Sequence, residues 1–223
     1  MLIEHASVNW ENYIPKNVKT LILGSFNPNN LNNNTDYYYG RSSNYFWKVI
    51  ADILNYNEDY FCGSLDRKKV IMDKYKFCFK DLIQEIELSG EQEILEKFIS
   101  QKIFKEFTDQ ILFTSKTNFS NIDITIKRKY DIGIFHLLSS NNICNVIHTL
   151  GNSTIDKKLK TKWKEKSLKD KGFQGFIQEI NVLCKIEEVS FSPSGRAVRS
   201  GGLDYYPKLK EWMKKNIIVE KDE

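Results

Sequence analysis

The sequence predicts an α/β fold: three layers, α/β/α, around a central, mainly parallel four-stranded sheet. Three observations carry that prediction. β-rich apolar runs alternate with stretches of helical periodicity, the run Val18–Leu23 closes on Gly24, and Ile143–Leu150 forms a second buried run stopped by Gly151. Near-continuous apolar strands of this kind belong to sheets covered on both faces.

Val18–Leu23 reads as the first strand, followed by a long loop from Ser25 to Ser43. Phe46, Trp47, Ile50 and Leu54 then recur at helical spacing, so a helix with one buried stripe begins near Asn44. Phe77–Ile83 reads as a short strand, and Glu91–Phe107 as a charged amphipathic helix running into a polar, peripheral segment that ends near Lys129. Asp131–Ser140 suggests a helix, Ile143–Leu150 a strand, and Ser153–Lys166 a basic helix whose lysines form a solvated face. Lys185–Phe191 is the last strand, and Tyr205–Ile217 closes the chain as a helix with Leu209, Trp212 and Met213 on one side. In such sheets ligands bind at the carboxyl ends of the strands, where two loops of unusual composition lie: Gly24–Asn44 and Ser192–Gly202.

Length and composition set the frame. At 223 residues, with 41% hydrophobic and 28% charged residues, residues 1–223 are expected to form a single soluble domain. The opening MLIEHASVNWENYIP has no basic n-region and no apolar run, and no later window is apolar for long enough to span a bilayer. A cytoplasmic location with no membrane partner is expected, and a monomer. Cys62, Cys78, Cys144 and Cys184 are scattered without a C-x-x-C pair or a histidine cluster, which predicts free, mostly buried thiols and no metal or other cofactor. A formal charge of +4 and a pI near 8.7 suit a polyanionic partner without requiring one.

The first loop reads GSFNPNN and then DYYYGRSSNYFW; the second reads SFSPSGRAVRSGG. Together these loops resemble the two active-site motifs of the uracil-DNA glycosylase superfamily. Gly24, Asn27 and Pro28 resemble the G-x-N-P of its mismatch-specific branch, with one extra residue between glycine and asparagine. Gly24-Ser25-Phe26 followed by Tyr38, Tyr39, Gly40, Asn44, Phe46 and Trp47 is similar to the hypoxanthine-type branch, G-S-x-P and later Y-Y-x-x-x-x-N-x-F-W. Ser192-Pro193-Ser194-Gly195 resembles the second motif, with serine in place of the leading asparagine or histidine.

The resemblance implies a monofunctional DNA glycosylase with DNA as its partner, acting in base excision such as DNA repair. Such an enzyme flips a deaminated or modified base, hypoxanthine or uracil first, out of the duplex and hydrolyses its N-glycosidic bond. It implies Asn44, or alternatively Asn27, as the catalytic asparagine. It also implies that Gly24, Ser25 and Phe26 frame the pocket, that Tyr39 stacks on the base, and that Arg196 wedges into the duplex. Ser192, Ser194, the amides near Gly195, and Ser25, Arg41 and Arg199 would hold phosphates. Against these stand plainer readings: the Tyr37–Tyr39 run as core packing, and Pro193 and Gly195 as a simple turn. Gly24 is followed by Ser25-Phe26, so the loop lacks the carboxylate of the fastest uracil-specific members, which implies a slower, broader or different specificity.

Other candidates are set outside the site. His148 and His136 read as core residues, His5 as terminal, and Asp81 and Asp123 as caps or surface residues. Two further functions compete with base excision from ordinary DNA: removal of a bulky modified base, as in phage DNA, and a catalytically silent DNA-binding module. A nucleotide-handling enzyme is a third, but neither G-x-x-x-x-G-K-S/T nor G-x-G-x-x-G occurs.

Overall fold

A computed structural model describes residues 1–10, 13–29, 36–93, 95–96, 116–119, 122–140, 142–150, 171–187 and 189–219. Strand β1 spans Leu2–Glu4, β2 Thr20–Gly24, β3 Phe77–Asp81, β4 Ile83–Ser89, β5 Lys116–Phe119, β6 Ile122–Tyr130 and β7 Asn145–His148. The helices are α1 Phe46–Ile53, α2 Leu65–Tyr75, α3 Gly133–Ser140, α4 Lys171–Leu183, α5 Gly195–Ser200 and α6 Tyr205–Asn216, with a short 3-10 turn at Ala6–Asn9.

The α/β class is as predicted, but the sheet differs. The parallel sheet has three strands in the order β3-β2-β7, and β2 at its centre is buried along its whole length. That burial is why its sequence, TLILG, is continuous rather than alternating. The fourth predicted strand, Lys185–Phe191, is reduced to a parallel bridge between Val146 and Ile186, where the Glu187 N–H donates to the Val146 carbonyl at 2.8 Å. Side chains take two more of its backbone groups. Asn181 Oδ1 accepts the Ile186 N–H at 2.9 Å, and Trp212 Nε1–H donates to the Val189 carbonyl at 2.9 Å. Groups engaged in this way are not free to extend the ladder.

Part of the segment expected to be polar and peripheral forms strands, β5 and β6, and in β6 the side chains of Lys127 and Lys129 are exposed. A four-stranded antiparallel sheet, ordered β1-β4-β6-β5, is built from these strands, β4 and the N-terminal residues. In β4 the side chains of Ile83, Ile86 and Leu88 are fully buried while Gln84 and Glu87 are exposed, and a register shift between Ile83 and Glu85 bends the strand. One apolar cluster runs from Ile3 through both sheets to Ile218.

Three helices not read from the sequence complete the described elements: α2, α4, and α5 within the second loop. Ser64 Oγ caps α2, and Lys76 ends it in the left-handed conformation, φ 56°, directly before β3. Inside it, the buried Lys68 ammonium is paired with Asp36 and lies over the Trp47 ring. Helices α1 and α6 pack together, tied where Asp52 accepts from Lys210 at 2.9 Å and from the Tyr206 hydroxyl at 3.1 Å. The Lys210 hydrogen bond, ahead of that from Tyr206, holds the Asp52 carboxyl below its usual range. Most of the helix expected over 91–107, and all of that over 153–166, lies outside the described residues. No described helix is long and apolar enough to cross a membrane.

The cysteines are free, but only Cys78, in β3, is buried; Cys62 and Cys144 are exposed. Burial pushes the Cys78 thiol up to about 12, so it holds almost no thiolate at neutral pH. An alkylating reagent is expected to label Cys62 and Cys144 in the folded protein, and Cys78 only after denaturation, as read by peptide mass spectrometry.

Candidate active site at the strand ends

In the parallel register Thr20 pairs with Phe77 and Asn145, and Gly24 with Asp81. The three strands therefore end side by side, and the first and second loops fold over their carboxyl ends. Between them lies a cavity of about 230 Å³. Gly24, Ser25, Phe26, Asn27, Tyr39, Arg41, Asn44, Ser192 and Ser194, all predicted site residues, line it. Gly195 and Arg196 do not: Gly195 is buried beneath the loops, and Arg196 is exposed in the first turn of α5.

The two loops are locked to each other. The Tyr45 N–H donates to the Pro193 carbonyl at 2.8 Å, and Gly195 lies so close to the Ser43 carbonyl that a side chain there would collide with it. Tyr205 holds the second loop from below. Its hydroxyl donates to the Ser192 carbonyl at 3.0 Å and accepts the Ser192 N–H at 2.9 Å. Burial raises the Tyr205 phenol above its ordinary range, so it keeps its proton and the pair of bonds persists through neutral pH. Ser194 Oγ accepts the Ala197 N–H at 3.2 Å and caps α5. Part of the serine content of this motif is therefore structural.

In the first loop, Asn44 Oδ1 accepts the Phe46 N–H at 2.9 Å, at the start of α1. This orients the side-chain amide so that its NH2 is the end able to donate to a ligand. Asn27 Oδ1 accepts from Arg41 Nη2 at 2.8 Å, an exposed bond, while the Asn27 carbonyl accepts the Ala6 N–H at 2.7 Å. Tyr39 has φ 56°; its ring stacks on Phe46 at 4.8 Å and its hydroxyl bonds Thr149 Oγ1 at 2.7 Å. Of the tyrosine run, Tyr37 and Tyr38 are buried in the core and Tyr39 is half-buried; Tyr38 and Tyr39 both line the cavity.

Asp81, set outside the site on sequence, is part of it. It lines the cavity at the end of β3, and only 8% of it is exposed. Its Oδ1 lies over Gly24, where any Cβ would collide with it, which is why this strand must end in glycine. Its Oδ2 is bonded to His5 Nε2 at 2.7 Å. His5 is not a loose terminal residue: β1 pairs with β4, His5 bridges to Pro28, and the ring is 3% exposed. The Ser7 N–H donates to His5 Nδ1 at 3.0 Å, which leaves the ring proton on Nε2 facing the carboxylate. A second cavity of about 240 Å³, lined by His5, Ser7 and Lys80 among others, lies on the other side of Asp81.

Thr149 also went unread. It follows β7, where its N–H donates to the Leu23 carbonyl at 3.0 Å. His148 is buried in that strand as expected, but His136 is exposed on α3 rather than in the core. The side chain of Asp123 lies outside the described residues. Among the described residues no group of three or more His, Cys, Asp or Glu side chains converges as a metal ion would need. A strand-end carboxylate beside a glycine-closed parallel strand was the signal available for Asp81; for His5 there was no local signal, because only the pairing of β1 with β4 brings it in.

Searches against family models, curated proteins and solved structures returned no match.

Replacing Tyr205 with Phe removes a donor and an acceptor from Ser192 at one stroke. Denaturant unfolding of Tyr205→Phe is expected to show a loss of about 1–3 kcal/mol relative to the parent.

Proposed function

We propose that the chain is a monofunctional DNA glycosylase that hydrolyses the N-glycosidic bond of a deaminated or modified base after flipping it from the helix. One observation carries the reading: two loops far apart in sequence, each resembling a superfamily motif, line a single cavity with Asn44 on one wall and Ser192 and Ser194 on another. Drug-sized ligands occupy pockets of roughly 300–1,000 Å³. A cavity of about 230 Å³ suits a smaller ligand, such as one planar base. The proposal carries with it the three-layer arrangement that the resemblance implies, with DNA as the partner.

The chemistry passes through an oxocarbenium-like sugar and a departing base that gathers negative charge. With its carbonyl oxygen engaged by α1, Asn44 would use its NH2 to donate to that base. Phe26 and Tyr39 supply aromatic walls, and contact of a base with such rings is worth about 1–3 kcal/mol. Asn27, tied to Arg41 at the exposed rim, is placed to meet the sugar and backbone rather than the leaving group. Arg196, exposed beside the second loop, remains available as the wedge.

The test is alkali cleavage of labelled oligonucleotides carrying uracil, hypoxanthine, xanthine or a bulky modified cytosine, in single strands and mismatched duplexes. Strand breaks confined to one substrate class are expected; intact strands throughout, with salt-dependent DNA binding retained, would replace the enzyme by a silent binding module. Asn44→Asp keeps the acceptor for the Phe46 N–H but removes the donor, so excision is expected to fall by one or more orders of magnitude with the melting temperature nearly unchanged. Asn44→Ala, by contrast, also loses the bond to the Phe46 N–H and about 1 kcal/mol of stability.

A further inference from the structure

Among the described residues Asp81 is the one carboxylate lining the cavity; the remaining polar lining there is made of hydroxyls, amides and a guanidinium. Its two oxygens are not equivalent. Oδ2 is spent on His5, at 2.7 Å on the side of the second cavity. Oδ1 lies over Gly24, itself a lining residue, at the floor of the first cavity. The His5 ring is fixed in turn by Ser7, whose N–H is 3.0 Å and Oγ 2.7 Å from Nδ1, so the carboxylate is held in one orientation.

From this geometry we infer that Asp81 Oδ1 reads the edge of the bound base and selects one with an exocyclic amino group, of cytosine or adenine type, over a carbonyl-edged one such as uracil or hypoxanthine. This rests on the reading of the cavity as a base pocket and names the class of base it takes. An ionised carboxylate can only accept hydrogen bonds. An exocyclic amino group projects an N–H beyond the ring toward such an acceptor, the pairing by which aspartate and glutamate read cytosine N4 in DNA. The ring N–H of uracil or hypoxanthine can also donate, but it is flanked by carbonyl oxygen, which would lie lone pair to lone pair against Oδ1. A buried acceptor left facing a carbonyl is penalised twice, by the missing bond and by the repulsion. Within the proposed function, the favoured substrate is therefore a modified base that keeps its amino group, not a deaminated one.

The selection can be read without catalysis. Saturation-transfer NMR on the full chain would compare the free bases cytosine, adenine, uracil and hypoxanthine. At least about tenfold tighter binding is expected for the amino member of each pair, cytosine over uracil and adenine over hypoxanthine. Asp81→Asn, which offers a donor as well as an acceptor at the same volume, is expected to abolish or reverse that preference, with folding checked by thermal unfolding. Equal binding of both members, a preference for the carbonyl bases, no binding of any base, or a preference that survives in Asp81→Asn would each overturn the assignment. Oligonucleotide cleavage separates the two levels: base selectivity without strand breaks removes the glycosylase and leaves Asp81 as the reader of a binding pocket, whereas excision of uracil in preference to modified cytosine keeps the glycosylase and removes this role.

Discussion

The parallel pairing of β2 with β3 on one side and β7 on the other is the constraint on which the rest depends. Because the ladders are in register, the chain leaves all three strands at one level, and Gly24, Asp81 and Thr149 emerge within reach of one another. The absence of a side chain at Gly24 then lets the Asp81 carboxyl settle against the backbone, and Tyr39 reaches across to Thr149. With any larger residue at Gly24, either the carboxylate or the tyrosine would have to move, and the cavity floor with it.

The antiparallel sheet serves the same place indirectly. Ile3 opposite Ile86 anchors β1, and that anchor carries His5 to Asp81 and sets the Ala6 N–H against the Asn27 carbonyl. The first loop is thus held from the N-terminal segment on one flank and from Pro193 and Gly195 on the other. A loop pinned on both sides can keep a cavity open between its own residues, as a preformed ligand site needs.

What could be read from sequence follows the range of the interactions involved. β2, α1 and α6 were legible because their own apolar residues carry the pattern: Leu21, Ile22 and Leu23 as a run, and Phe46, Trp47 and Ile50 or Leu209, Trp212 and Met213 as stripes. The lining residues of both loops were legible through motif likeness. The antiparallel sheet was not, because β6 reads as polar, IDITIKRKY, and its pairing with β4 lies in another part of the chain. The fourth parallel strand was expected because Lys185–Phe191 has strand composition, but composition does not show that Trp212 and Asn181 will take its backbone groups. Asp81 and His5 were discounted one at a time as a cap and a terminal residue; only their partnership gives them meaning, and it joins residues far apart in the chain.

The cavity has a consequence for how the protein must fold. Its walls come from residues near positions 24, 44, 81, 149 and 192, and its floor is tied to His5, so nearly every contact that shapes it is long-range. Closing such loops costs chain entropy before any packing repays it, and parallel strands joined by long crossovers are slow to find one another. A pocket assembled in this way is expected to form late and to be lost early when the sheet opens. Because the pocket exists only once that pairing is complete, ligand occupancy would register completion of the whole parallel sheet, and a ligand bound there would slow its opening.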